Sequence, residues 1–448
     1  MARHGVTLSI VKRWLWRVAS AAVAASFFAA QAAVPALADG SGPLQFMSDR
    51  CAAQAPTPRE ELRNAWQLQR LQMDSVWTMA TGKGVKVAVI DTGSSTAGSP
   101  YLSGGGRVRG YNMIPDVRAE DGTITYDCAH GTAVTSIIGA GRTESGQAVH
   151  GATNFSGIAP DAEIVTYRAL KNSTQPEGEP SEEEKENLTY TIDAIRHATD
   201  VEKVDVINLS QATFNDAKLG QLQEAVLDAI AKGIVVVAAA GNQGQADSET
   251  ASAFPAAIEG VIAVGMSNQQ DSGDEMTHVG RYISIGAPGR NLVALAPSQP
   301  TQTPTADNQA FALEASGTSY AAPIVSGVVA LMIEHNNNMG NPEDLTPARV
   351  RDILVRTADP SGVRPPDPFI GYGIVNPLKA LTGTMGASPT PMAVETESTG
   401  KIRVAPDEGT PLSSMVGLGV AIGAVILVAL GVVAAIAIPA AVRRRATD

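Results

Sequence analysis

The hydrophobic pattern of this chain changes character several times along its length. From Val85 onward, brief β-branched runs alternate with amphipathic stretches. The runs are Val85–Ile90, Ile164–Tyr167, Val204–Leu209, Ile234–Ala240 and Val261–Gly265. Helical periodicity separates several of them, at Leu188–Ala198 and Leu219–Ala231. Short runs that are apolar on both faces and interleaved with helices predict a mainly parallel sheet covered on each side. In such sheets the site lies at the carboxyl ends of the strands, and Asp91 and Asn242 each close an apolar run. Two stretches, Arg142–Ser156 and Lys171–Asn187, read as polar surface insertions. The second carries Glu177, Glu179, Glu182, Glu183, Glu184 and Glu186, the pattern of a solvated loop entering a helix whose N-terminal dipole favours acids.

The two ends depart from this pattern. Arg3, Lys12, Arg13 and Arg17 precede or open an apolar stretch from about Val18 to Ala30, followed by the small-x-small triplet Ala36-Leu37-Ala38. That order predicts a secretory signal peptide over 1–38, cleaved after Ala38. Near the other end, no charge interrupts Val416–Ile438, and Arg443, Arg444 and Arg445 follow. About 20 apolar residues cross a bilayer, and basic residues stay on the cytoplasmic side. A transmembrane helix over 412–438 and a cytoplasmic tail over 439–448 are expected, with the bulk of the chain outside the cytoplasm. Gly419 and Gly423 form a GxxxG pair within that span, a spacing that lets helices approach closely. Residues 383–411, rich in Pro, Ser and Thr, read as a linker. Residues 39–74 carry Pro43, Pro56 and Pro58 and a polar helix-like stretch around Glu60–Gln72. They are too few to fold on their own core.

A net charge of −12 argues against nucleic-acid binding, which wants a basic face. The two cysteines, Cys51 and Cys128, are too few for a four-cysteine zinc site. In an exported chain they suggest a disulfide, and otherwise two unrelated buried thiols. His150, His197, His278 and His335 have no metal-ligand spacing, and most of them are expected on the surface or in loops. No metal or cofactor is expected, and no acidic cluster compels calcium.

Three segments carry reactive residue types: Val87-Ala88-Val89-Ile90-Asp91-Thr92-Gly93, His130-Gly131-Thr132-Ala133-Val134 and Gly317-Thr318-Ser319-Tyr320-Ala321-Ala322-Pro323. A serine hydroxyl is a weak nucleophile and needs an adjacent base, usually histidine. A carboxylate on the far side of the imidazole fixes its tautomer. Asp91, His130 and Ser319 supply these three groups. Ala321 excludes the Gly-x-Ser-x-Gly elbow of the α/β-hydrolases, and the chain order Asp, His, Ser differs from the chymotrypsin order. Asn242, after Ala238-Ala239-Ala240-Gly241, is a candidate amide donor to an oxyanion, with the Ser319 N–H as a second.

These segments resemble the subtilases, as do Gly157-Ile158-Ala159-Pro160-Asp161-Ala162 and Gly371-Tyr372-Gly373. The likeness spans roughly residues 75–382. It implies a subtilisin-like three-layer α/β domain and a serine endopeptidase. It also implies that Ser210, Gln211 and Ala212 line one wall of the main specificity pocket and Ala239, Ala240 and Gly241 the other. Ala212 stands where the family often has Gly, which favours small or medium substrate side chains. The architecture as a whole is similar to the mycosins, proteases associated with type VII secretion. That resemblance implies exported protein substrates, a membrane location and a secretion complex as partner. A structural subunit of such a complex, with proteolysis secondary, is the alternative. The short extension implies no self-folding pro-domain, and a strap over 39–74 that wraps the catalytic domain instead. A Cys51–Cys128 bridge would pin that strap beside His130.

Overall fold

The computed structural model describes residues 51–383, apart from 104–105, 116–126, 172–181, 215–217, 244–250, 300–302 and 341–344. The expected leader at 1–38, the span at 412–438 and the tail at 439–448 lie outside the described residues. So do nearly all of the expected linker and most of the Lys171–Asn187 insertion. Among the described residues no helix is long and apolar enough to cross a membrane.

Seven strands build the main sheet: β1 (Lys86–Asp91), β2 (Val108–Asn112), β3 (Glu163–Arg168), β4 (Val206–Leu209), β5 (Val235–Ala239), β6 (Ile262–Ser267) and β7 (Ile285–Pro288). They lie in the order β2-β3-β1-β4-β5-β6-β7, and every pairing is parallel. The chain lays β2 and β3 on one side of β1, then crosses to β4 and runs outward to β7 on the other, so the crevice at the end of β1 is the topological switch point. The helices are α1 (Trp66–Arg70), α2 (Met73–Val76), α3 (Ala129–Gly139), α4 (Glu182–His197), α5 (Leu219–Ala231), α6 (Thr318–Asn338), α7 (Pro347–Thr357) and α8 (Pro377–Thr382). A separate antiparallel pair joins β8 (Leu292–Leu295) to β9 (Phe311–Ala315).

Strand alternation sorts the interior into two cores. Val87, Val89, Val206, Val235 and Val237 face one core, with α3 and α6. Ala88, Ile90, Ile207, Val236 and Ala238 face the other, with α4 and α5. Successive side chains point to opposite faces of a strand, so a sheet buried on both sides is apolar at most positions, with Thr166 and Asn208 as buried polar exceptions. That is why these strands show as unbroken runs. Asp91 shares the parity of Val87 and Val89, which aims it at the layer of α3 and α6.

The edge strands β2 and β7 escape a search for apolar runs. An edge tolerates polar residues and a missing backbone donor, and these strands read Val-Arg-Gly-Tyr-Asn and Ile-Gly-Ala-Pro. The stretch around Glu60–Gln72 is not one helix. A single 3₁₀ turn at Arg59–Glu61 is followed by α1, and Gln72 then takes a left-handed φ of 55° before α2. Leu68, Leu71, Met73 and Val76 are buried in the α3/α6 core, so the chain breaks where it must turn to insert them.

The Arg142–Ser156 stretch also corrects the surface expectation. Its far end turns inward, where Phe155 is fully buried and meets Tyr101 and Phe311 edge-to-face at 5.7 and 5.9 Å. His150 and His278 are buried as well, although their sequence surroundings are polar.

The N-terminal strap is held at several points. Gln54 N–H donates to Pro297 O (2.7 Å), Thr57 N–H to Gln309 O (3.1 Å), and Phe311 N–H to Thr57 Oγ1 (2.8 Å). These bonds lay it along the β8–β9 pair. A Cys51–Cys128 disulfide, with Cα atoms 5.7 Å apart, ties it to the residue preceding α3.

Candidate active site

Asp91 ends β1 and is fully buried. One of its oxygens, Oδ1, accepts the Thr92 backbone N–H at 2.7 Å. His130 is the second residue of α3, and its Nδ1 lies 2.8 Å from Asp91 Oδ1 and 3.0 Å from Oδ2. A carboxylate only accepts, so Nδ1 carries the proton and Nε2 is left as the basic nitrogen.

Burial opposes a charged imidazole, but the Asp91 charge and hydrogen bond outweigh it. Asp127 adds a smaller pull, and together they hold His130 above the usual imidazole value. The side chain is 12% exposed.

Close approach of α3 to the end of β1 depends on Gly131. A Cβ there would sit 2.0 Å from Gly93 O and 3.1 Å from Asp91 Oδ1. A small-residue lattice locks the two elements. Gly131 N–H donates to Thr92 Oγ1 (3.1 Å), Ser94 Oγ–H to Gly131 O (2.9 Å), and Ser95 N–H to Thr132 Oγ1 (2.9 Å). These Thr and Ser positions were not singled out as functional from sequence. Their only local signal is their clustering after Asp91 and, for Thr132, after His130.

Ser319 is the second residue of α6, whose N-terminus carries partial positive charge. The turn into that helix passes through Gly317 at φ 146°, a region that side-chain-bearing residues rarely enter. A Cβ built on Gly317 would lie 3.3 Å from Ser319 Oγ and 3.5 Å from Asn242 Nδ2. The hydroxyl and the amide nitrogen therefore converge over one small residue.

Asn242 sits three residues past β5, bridged to Thr277 rather than on the strand itself. Thr318 fixes its amide orientation by donating to Oδ1 from both N–H (3.0 Å) and Oγ1–H (3.1 Å). Tyr320 carries the helix end to the histidine, with its ring centroid 5.2 Å from that of His130. Burial pushes the Tyr320 phenol up to about 12, which keeps it neutral. Among the described residues no hydrogen bond joins the Ser319 hydroxyl to His130. Contacts of this kind often tighten only when substrate binds.

The expected wall residues are also close to the site. Ser210 Oγ accepts from Asn208 Nδ2 (2.9 Å), and Ser326 Oγ–H donates to Asn208 Oδ1 (2.8 Å). This chain ties the first wall to α6. Gln211 bonds Thr191 on α4, Nε2 to Oγ1 at 3.2 Å. On the second wall, Tyr282 OH donates to Ala240 O (3.0 Å). Ala212, Ala239, Ala240 and Gly241 are all buried. Among the described residues no group of three or more His, Cys, Asp or Glu is placed to hold a metal ion.

Residues 82–373 match the subtilase family. The chain is 31% identical to mycosin-4 of Mycobacterium tuberculosis, over 73% of this chain and 72% of that protein. It is 29% identical to mycosin-1 of Mycolicibacterium smegmatis, over 88% and 89%. It also resembles the crystal structure of MycP1 from the ESX-1 type VII secretion system. That likeness has a TM-score of 0.58 and 26% identity, over 78% of this chain and 92% of that one. A parallel sheet with its switch point at Asp91, a family match across most of the described chain and relatives of this coverage lead to one conclusion: the chain belongs to the subtilase family of serine endopeptidases.

Proposed function

We propose that Asp91, His130 and Ser319 act as the catalytic triad of this endopeptidase, with Asn242 and the Ser319 N–H holding the oxyanion. The observation that carries the reading is the hydrogen-bonded His130–Asp91 pair beside the Ser319 helix terminus. In the acylation step Ser319 Oγ attacks the scissile carbonyl carbon as His130 Nε2 takes its proton. The carbonyl π electrons move onto oxygen, where the Asn242 amide and the helix-terminal N–H stabilise them. Collapse breaks the C–N bond while His130 returns the proton to the leaving amine. Water then repeats the sequence on the acyl group and frees Ser319.

The test is labelling of the purified full chain with a fluorophosphonate. Labelling lost in Ser319→Ala supports an activated nucleophile. No labelling of a folded protein sinks the triad assignment.

The domain plan proposed with this reading is a leader over 1–38, a strap over 39–74 and a peptidase domain over 75–382. A linker over 383–411 and a single span over 412–438 then leave 439–448 in the cytoplasm. The catalytic domain would face the cell-envelope space and process exported proteins as part of a type VII secretion system. Support for that placement comes from the uncharged Val416–Ile438 stretch followed by arginines and from the mycosin relatives. The second reading, a structural subunit, is favoured by likeness to MycP1, a protease described as coming from the ESX-1 type VII secretion system. A Ser319→Ala strain separates the two: export that persists there but is lost on deletion places the scaffold first.

A further inference from the structure

With Ser319 and Asn242 assigned as above, an attacked carbonyl has its carbon at the hydroxyl and its oxygen at the amide. The side chain of that same residue branches one bond away, and the walls implied by the family resemblance, Ser210–Ala212 and Ala239–Gly241, direct it past Gly241. A Cβ built on Gly241 would lie 3.4 Å from each of three carbons, the Ala212 Cβ, the Ala253 Cβ and the Phe214 Cζ. These are ordinary contact distances. The gap between the two expected walls is thus closed by the chain's own apolar groups, and the largest of them is the Phe214 ring.

Phe214 is half-buried and belongs to neither hydrophobic core, so core packing does not account for its position. It has its own seat. The ring meets the His278 imidazole edge-to-face, with centroids 4.9 Å apart. His278 is buried and pinned twice, its backbone N–H donating to Gly241 O (2.9 Å) and its Nε2–H to Ala251 O (2.6 Å). The backbone just before the ring is fixed too: Thr213 and Phe254 exchange both backbone hydrogen bonds, at 2.7 and 2.9 Å. The ring therefore leans on a fixed imidazole and grows from a fixed stretch of backbone, which limits how far it can swing.

We infer that Phe214 is a specificity-determining residue. It fills the space beside Gly241, so that the residue donating the acyl group must be small: glycine, alanine or serine. Ala212 narrows the same space by one methyl, and His278 is a positioning residue that holds the ring. The inference rests on the triad and oxyanion reading of the same site. It adds a substrate class and names the side chain that sets it.

The test uses peptide aldehydes that differ only in their terminal residue, Gly, Ala, Leu or Phe, competing with a fluorophosphonate for the full chain. The aldehyde carbon bonds reversibly to Ser319 Oγ, and the hydroxyl proton passes through His130 to the new hemiacetal oxygen. Potency therefore reports fit without turnover. Misfit by one methylene or more discriminates on the order of 10- to 100-fold. In the unaltered protein the alanine aldehyde is expected to outcompete the leucine and phenylalanine aldehydes by about that factor. Phe214→Ala is expected to level or reverse the order, with Phe214→Leu intermediate and Ala212→Gly shifting it less. Where Phe214→Ala fails to fold, Phe214→Leu decides. Equal potencies in the unaltered protein, or an order unchanged by the Phe214 variants while labelling persists, overturn the inference and leave the triad standing. Loss of all labelling in the unaltered protein removes the triad reading and this inference with it.

Discussion

At His130 two opposing effects meet. Burial disfavours the imidazolium, while Asp91 and, more weakly, Asp127 favour it, and the carboxylates win. The general base proposed here must be neutral to accept a proton, so on that reading a raised pKa moves the onset of activity toward higher pH. The acid limb of kcat/KM for the free enzyme is expected above the ordinary value of 6.5. Asp127→Asn should move that limb downward, since one of the raising charges is gone. A limb that does not move in the variant would show that Asp127 has no part in it. Asn242 offers a second residue-scale prediction. Its Oδ1 accepts two bonds from Thr318, so the amide is oriented before substrate arrives. Asn242→Ala is expected to lower kcat by about 100- to 1,000-fold with little change in KM, the loss typical of one oxyanion donor. An equal rise in KM would point instead to ground-state binding.

Among the elements, α3 and β1 set the geometry of the pair, and a single hydrogen atom decides how close they come. Gly131→Ala would drive a methyl into Gly93 O. Overpacking of this kind costs roughly 1–3 kcal/mol, occasionally more, and here it separates His130 from Asp91. The expected result is a lower urea midpoint together with lost fluorophosphonate labelling. Normal labelling at unchanged stability would mean the helix can shift without harm. Helix α5 has the bounds its periodicity predicts, Leu219–Ala231, because one face is buried and the other wet. Strands β1, β3, β4, β5 and β6 stand out because both of their faces are buried. The edge strands β2 and β7 carry polar residues, Gly or Pro, and only hydrogen-bond pairing identifies them.

For the molecule as a whole, the disulfide joins the strap at Cys51, the first described residue, to the start of α3. The bridge closes a separation of 77 residues, which in the chain-entropy account contributes about 4 kcal/mol by restricting the unfolded chain. Cys51→Ser is expected to lower the denaturation midpoint accordingly. Turnover of short peptides per folded molecule should stay the same. A rise in that turnover would show that the strap limits access to the cleft as well as stabilising the fold.

Local periodicity and short motifs were enough to read the layered α/β class, the buried strands and the candidate residues Asp91, His130, Asn242 and Ser319. Each of those signals is carried by neighbours within a few positions. The inward turn of Phe155, the burial of His150 and His278, the two bonds from Thr318 to Asn242 and the seat of Phe214 were not legible. They depend on contacts between residues far apart in the chain, and a polar or aromatic residue looks the same in sequence whether it faces water or a partner. Only the packed structure decides that, because burial is a property of the neighbours that the fold brings together.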